Sequence, residues 1–324
     1  MTGAPLRLGT RRSPMATTQS RLVAEAVTRL TGREVELVGI TSHGDVSPEQ
    51  LTQIGGTGVF VSALRAAVLA GEVDFAVHSM KDLPTAKAEG IVIAAVPARD
   101  DPRDALCAKD GAKLADLPRG ARIGTGSPRR AAELLLLRAD LRPVPVRGNA
   151  GTRLARLQSD DLDAVVLGLA GLTRIGRLAD VTQVFEPDEM LPMAGQGALA
   201  VECCSSREDL VALLACVDDA PSRAATTAER VMLGALEAGC AAPVGADAAG
   251  TDVLRLRGMV VAADGGMALR GSASGPPAMA KAIGQQVAVE LLRRGAGRYT
   301  AVPDPGELGR AGSGGHISSG DDDK

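Results

Sequence analysis

The sequence predicts an α/β protein, and three observations carry that prediction. Short apolar runs alternate with helical stretches through the first two-thirds of the chain, the pattern of strands linked by helices. A strand end, a Gly-Thr turn and a Ser-Pro helix start occur twice, at Leu8-Gly9-Thr10-Arg11-Arg12-Ser13-Pro14 and at Ile123-Gly124-Thr125-Gly126-Ser127-Pro128. The 324 residues are 45% hydrophobic and 23% charged, an ordinary balance for a folded soluble chain. At roughly 150 residues per domain this length implies two domains, with room for a third.

The elements follow in order. Residues 6–8 read as a strand, and a helix is expected over 14–30, with Ser13 at its N-cap and Pro14 at its first position. Residues 34–40 alternate as a strand, 58–70 form a helix, and 73–77 and 91–96 are buried strands. A second unit begins near residue 100: strand 122–124, helix 128–138, strand 144–146, helix 149–157 and strand 164–167. A strand from Ala198 leads into helices over 208–217 and 222–236, strands near 253–261 and 267–271, and a helix over 278–294. The repeated start motif makes the two α/β units structurally alike. The Gly-, Ser- and Asp-rich stretch 311–324 carries no hydrophobic pattern and is expected to be a disordered tail.

Composition narrows the function. No apolar run reaches the roughly 20 residues that span a bilayer, and no export signal is read at the N-terminus, so a cytoplasmic protein is expected. With no Trp, one Tyr and three Phe, the platforms for stacking nucleobases are missing, and no nucleic-acid partner is expected. Five Cys and three His show no metal-ligand spacing, so no metal is expected. Cys107 and Cys216 read as packing residues. Cys240, bracketed by Gly239 and Pro243 in a loop, reads instead as a nucleophile or an attachment point.

The basic residues are unevenly chosen, 30 Arg against 6 Lys, on a chain of net charge -3. Arg11, Arg12, Arg129, Arg130, Arg147, Arg153 and Arg174 fall at strand ends or helix starts, where α/β proteins bind anions. Arg adds bidentate recognition of carboxylate or phosphate, so a polyanionic ligand is expected, surface ion pairing being the plainer alternative. Asp82 leaves a buried strand in His78-Ser79-Met80-Lys81-Asp82-Leu83-Pro84. A carboxylate there serves a cationic intermediate or exchanges protons, or merely caps a turn.

Six motifs in register, Thr10-Arg11-Arg12-Ser13-Pro14, His78 to Asp82, Asp101-Pro102-Arg103-Asp104, Arg147 to Arg153, Gly195-Gln196-Gly197 and Leu236 to Cys240, resemble the porphobilinogen deaminase family. The resemblance runs from about residue 6 to residue 300. It implies an α/β fold of three domains: two similar domains like those of type II periplasmic binding proteins, and a smaller C-terminal α/β domain. The implied boundaries are 1–98 with 195–216, 99–194 and 217–310. It implies that four porphobilinogen units lose ammonia and condense into linear hydroxymethylbilane, without a metal. The chain grows on a dipyrromethane cofactor held by a thioether to Cys240, with Asp82 as the catalytic residue. Arg11, Arg129, Arg130, Arg147, Arg153 and Arg174 are implied to hold the acetates and propionates, helped by Ser13, Lys81, Thr125, Ser127 and Gln196. A monomer is expected.

The sequence also departs from that pattern. Gln53 and Thr57 stand where Lys is common, Gly126 where Ser is common and Pro128 where Leu is common. The competing expectation is a non-catalytic two-lobed protein that binds a small carboxylate and needs neither a Cys240 loop nor a third domain. A Cys hydrolase would need a base near Cys240, and no His lies near it in sequence.

Overall fold

The computed structural model describes residues 4–40, 58–159, 161–238 and 242–300. Cys240, the 53–57 loop and the 311–324 stretch lie outside the described residues. The first sheet is built from β1 (Leu6–Thr10), β2 (Val35–Gly39), β3 (Phe75–Ser79), β4 (Ile91–Ala95) and, much later in the chain, β10 (Leu199–Cys204). The second contains β5 (Asp104–Ala108), β6 (Arg122–Thr125), β7 (Arg142–Pro145), β8 (Ala164–Gly168) and β9 (Gln183–Val184).

The strand orders are β2-β1-β3-β10-β4 and β7-β6-β8-β5-β9. These are the same arrangement. In each, three parallel strands are followed by one antiparallel strand supplied by a segment that crosses between the domains. The repeated start motif serves both units alike. Ser13 caps α1 (Pro14–Thr31) by accepting from the Ala16 N–H at 3.3 Å. Ser127 caps α3 (Pro128–Leu137) by accepting from the Arg130 N–H at 3.4 Å. Pro at the first position presets helical φ where no N–H is needed.

The chain crosses between the sheets twice, from β4 to β5 and from β9 to β10. The Gly195-Gln196-Gly197 motif lies in the second crossing. Gly197 has φ 84°, and a Cβ there would sit 2.4 Å from the Asp100 carbonyl oxygen of the first crossing. Gly195 has φ 74°, and a Cβ there would sit 2.8 Å from Cγ of Met80. Only glycine allows both the left-handed backbone and these close contacts, one between the crossings and one with the turn after β3.

The smaller C-terminal domain is an antiparallel sheet of β11 (Val244–Ala249), β12 (Leu254–Val261) and β13 (Ala268–Gly275). It is covered by α7 (Ala220–Ala235) and α8 (Ala280–Arg293), with Met232, Leu256, Ile283, Val287 and Leu291 in its core. Burying such side chains contributes roughly 1.5–3 kcal/mol each. With four aromatic residues in the whole chain, the cores are made of Ala, Val, Leu and Ile; among the described residues Phe75 and Phe185 are the largest wholly buried side chains.

Three strands, β5, β9 and β11, escape a reading by pattern. β5 begins on the charged Asp104, and β11 reads Val-Gly-Ala-Asp-Ala-Ala, residues of low strand preference. Pairing with β8 and β12 makes them strands. The strand expected at 73–77 is shifted by two residues: pairing with β1 begins at Phe75, and Asp74 just before it accepts from the Arg7 N–H at 2.8 Å. Cys216 does not pack in a core; it is exposed in the turn after α6 (Glu208–Leu214).

The third domain is tied to both crossings by one buried carboxylate. Glu229 on α7 is 0% exposed. It accepts from Arg99 at 2.7 and 3.0 Å, from the Gly195 N–H at 2.7 Å and from the Ala248 N–H at 2.9 Å. Arg99 in turn donates to the Gln196 carbonyl at 2.8 Å. Removing one partner of such a pair leaves a buried uncompensated charge. Glu229→Ala is therefore expected to lower unfolding free energy by about 3–5 kcal/mol in urea titrations. A loss below about 1 kcal/mol would show that the pair is dispensable.

Candidate functional site

The site forms where the two α/β domains face each other across the crossings. From the first domain, β3 ends at Ser79 and the chain makes a single 3-10 turn, Met80–Asp82. Met80, 1% exposed, anchors the turn in a core with Val61, Leu83, Val96 and Ala198. Pro84 keeps the preceding Leu83 extended and stops the helix. Lys81 and Asp82 thereby face a cleft of about 230 Å3. Asp82 is half-buried and has no hydrogen-bond partner among the described residues, so its carboxylate remains open to a ligand. Burial lowers the Lys81 ammonium from its usual value; Asp82 opposes this and Arg130 adds to it.

Arg130, Arg153, Arg174 and Gln196 face the same cleft. Arg130 donates from Nε and Nη2 to Asp104 at 3.0 and 2.7 Å, and from Nη2 to the Gln196 side-chain oxygen at 3.1 Å. Gln196 Nε2 donates back to Asp104 at 2.7 Å. Burial alone would raise the Asp104 carboxyl, but Arg129 and Arg130 hold it well below the usual carboxylate range. Arg174 is held by Asp100 at 2.8 Å and donates to the Gly197 carbonyl at 2.7 Å.

α4 (Ala150–Ala155) brings in Arg153, its start capped by Asn149, which accepts from the Thr152 N–H at 2.9 Å. Arg153 Nε donates to the Gly148 carbonyl at 2.8 Å and has no carboxylate partner among the described residues. Burial, and then the charges of Arg130 and Arg147, lower its guanidinium from the usual value. Arg147 is exposed and likewise has no carboxylate partner among the described residues. Thr125, Ser127 and Arg147 line a second cavity, and Arg153 belongs to the wall of both.

Two expected ligand residues are placed otherwise. Arg129 does not reach any of these cavities. It is 2% exposed and donates to Asp104 at 2.6 Å, to Glu133 at 2.7 Å and to the Leu191 carbonyl. Consecutive residues of an α-helix point about 100° apart, so only one of the Arg pair can face the cleft. Ser13 lines none of the cavities, and its hydroxyl caps α1.

Arg11 lines a small cavity of about 60 Å3 behind the cleft, with Gln19, His78, Ser79 and Asp82. Gln19 Nε2 donates to Ser79 Oγ at 2.9 Å. Gln19 lies mid-helix with no motif to mark it. His78 sits 3.3 Å from Glu202, which also takes Arg65 in a bidentate pair at 2.9 and 2.7 Å. Glu202 and Asp104 were not singled out by sequence. Asp104 falls inside the Asp-Pro-Arg-Asp motif, the only signal that pointed to it.

The Glu202 arrangement has a pH consequence. Burial opposes ionisation, but the Arg65 hydrogen bonds and the adjacent His78 ring bring its pKa from 4.5 to about 2. A carboxyl with a depressed folded-state pKa stabilises the fold above its unfolded value, and that stability is lost as pH falls. About 3 kcal/mol is expected to disappear between roughly pH 4.5 and 2. Glu202→Gln is expected to flatten this acid limb in denaturant titrations; an unchanged slope would remove Glu202 as its source.

The arrangement can hold a ligand bearing several carboxylates and place its positive centre beside Asp82. Comparison with known proteins bears on which ligand. A family model described as porphobilinogen deaminase, dipyromethane cofactor binding domain, matches residues 6–212. A second, porphobilinogen deaminase, C-terminal domain, matches 224–293. The porphobilinogen deaminase of Thermobifida fusca is 60% identical over 311 residues, 93% of this chain and 97% of that protein. Porphobilinogen deaminase 1 of Streptomyces coelicolor is 54% identical over 310 residues, 91% and 97% of the two chains. Among solved structures, an ABC transporter periplasmic substrate-binding protein from Coxiella burnetii aligns with 65% of this chain and 91% of its own, at 17% identity and a TM-score of 0.41.

Proposed function

Because this chain belongs to the porphobilinogen deaminase family, we propose that it joins four porphobilinogen molecules into hydroxymethylbilane. Each condensation releases one ammonia, and one water supplies the terminal hydroxyl when the product is released. The observation that carries the reading is Asp82, unpaired among the described residues, facing an arginine-lined cleft between two domains. Porphobilinogen carries an acetate and a propionate, and Arg130, Arg153 and Arg174 suit such anions. The domain limits 1–98 with 195–216, 99–194 and 217–310 are part of this proposal.

The residues also fit a dipyrromethane cofactor. Two linked pyrroles bring four carboxylates, and Arg147 and Arg153 have no internal carboxylate to neutralise them among the described residues. When bound, the cofactor supplies the pyrrole on which the product is extended. Cys240 is the proposed thioether attachment point. Arg11, Lys81, Thr125, Ser127, Arg147 and Gln196 complete the proposed ligand set. Arg129 supports it indirectly by sharing Asp104 with Arg130.

Asp82 has a defined task. Loss of ammonia from the aminomethyl group of porphobilinogen leaves a cationic, electron-poor methylene. A carboxylate held rigidly beside that position stabilises the charge as it forms and accepts a hydrogen bond from the pyrrole N–H. The free thiols of Cys107, Cys203, Cys204 and Cys216 support a reducing cytoplasm as the working compartment, and we propose a monomer. Burial raises the Cys107 and Cys203 thiols to about 12 and about 11, which keeps them out of nucleophilic chemistry. A non-catalytic carboxylate binder gives no reason for a third domain clamped on both crossings through Glu229.

Asp82→Ala is expected to lower turnover by roughly 10²-fold or more while circular dichroism stays unchanged. Turnover near that of the unaltered protein would remove Asp82 from the chemistry. Cys240→Ala is expected to lack the mass of two linked pyrroles in intact-protein spectra, even after incubation with porphobilinogen. A variant that still carries that mass would place the attachment elsewhere.

A further inference from the structure

Asp82 sits on a single 3-10 turn, and a turn this short needs support at both ends. Its start is held by the second crossing, where the Met80 N–H donates to the Ala198 carbonyl at 2.9 Å. Its last internal bond runs from the Leu83 N–H to the Met80 carbonyl at 3.1 Å. Pro84 follows and has no N–H, so it cannot extend the helical ladder. The carbonyls at this end must find donors outside the turn.

The donors come from the third domain. Arg230, the residue after Glu229 on α7, donates from Nη1 to the Leu83 carbonyl at 2.9 Å and to the Met80 carbonyl at 3.4 Å. Its Nη2 donates to the Pro84 carbonyl at 2.6 Å. A guanidinium presents its donors in a rigid planar fork, so the three carbonyls are fixed in direction as well as in place. Two of them, those of Met80 and Leu83, bracket Asp82 in the chain. Glycine lets α7 come this close: a Cβ at Gly234, one helical turn beyond Arg230, would lie 3.3 Å from Cβ of Thr85. Arg230 itself lines neither the cleft nor the cavities beside it.

A second arginine on α7 supplies the comparison. Arg223 also reaches into the first domain, donating from Nη2 to the Ala94 carbonyl at 2.9 Å and from Nη1 to the Ile93 carbonyl at 3.4 Å. It pairs with Asp218 at 2.8 Å. Its target is β4, none of whose residues lines the cleft or its neighbouring cavities. Arg223 therefore ties the same two domains together without touching the turn.

We propose that Arg230 is a positioning residue for Asp82: through its fork the third domain sets where the carboxylate stands in the cleft. The inference rests on the condensation reading above, in which Asp82 lies beside the carbon that loses ammonia. A misplacement of about 1 Å in such a geometry costs roughly 100-fold in rate. Loss of the fork acts on that step, while the arginines of the cleft go on binding substrate carboxylates.

The test compares Arg230→Met, which keeps an apolar stem and removes the fork, with Arg223→Met. Both are made in the holoenzyme, with thermal unfolding to check the fold and intact mass to check the cofactor. Arg230→Met is expected to lower kcat by roughly 10- to 100-fold and to leave KM within about twofold. Arg223→Met is expected to keep kcat within about twofold, even where its melting temperature falls as far. Amide hydrogen exchange, read without substrate, is expected to quicken over residues 80–85 in Arg230→Met and not in Arg223→Met. Arg230→Lys returns the charge without the fork and is expected to fall between; it carries the comparison if Arg230→Met does not fold. An unchanged kcat in the folded Arg230 variants, or an equal loss in Arg223→Met, would overturn the positioning role while leaving the condensation reading intact. An unaltered enzyme that makes no hydroxymethylbilane would overturn that reading, and the exchange measurement would still decide whether Arg230 holds the turn.

Discussion

The Asp104 carboxylate is the point on which the candidate site depends. It is wholly buried at the start of β5, immediately after the first crossing between domains. Arg129, Arg130 and Gln196 all donate to it. A lone carboxylate there would be expelled or protonated, and two guanidiniums make it a stable anion. In return, the cluster fixes the Arg130 guanidinium at the cleft and ties the second crossing to the first. The positive face of the site is thus preorganised by a negative charge that never meets the ligand.

Glu229 gives the third domain a part in that arrangement. By binding Arg99, Gly195 and Ala248 together, it docks α7 and β11 against both crossings. Any change in the angle between the two α/β domains must pass through segments that the third domain grips. Beside these clusters burial raises the Glu133 carboxyl to about 8 despite Arg129, which donates to it at 2.7 Å.

The division of labour among arginines follows from their partners. Arg129 and Arg99 are consumed by internal carboxylates and build the frame. Arg130 and Arg174 are partly consumed and still face the cleft. Arg147 and Arg153 have no internal carboxylate among the described residues, and they line a cavity beside the cleft. One residue type thus serves both in the frame and in the cavity walls, and only the neighbouring acids distinguish the two placements.

The sequence by itself determined the alternation of elements, the repeated Ser-Pro helix starts, the Gly-Gln-Gly crossing and the pairing of an acidic turn with arginine loops. These are local facts: capping, periodicity and backbone freedom act within a few residues. It did not determine β5 or β11, whose small or charged residues become strands only when β8 and β12 supply hydrogen-bond partners. Nor did it separate Arg129 from Arg130, because adjacent residues look alike until helix geometry turns one inward. Asp104, Glu229 and Gln19 act across 60 or more residues in at least one contact each, with Gln196, Arg99 and Ser79 respectively. The Asp104 and Glu229 partnerships exist only once the chain has crossed twice between its domains, and that of Gln19 only once α1 packs on β3. Which charges are spent on the frame and which remain for a ligand is therefore decided by tertiary structure alone.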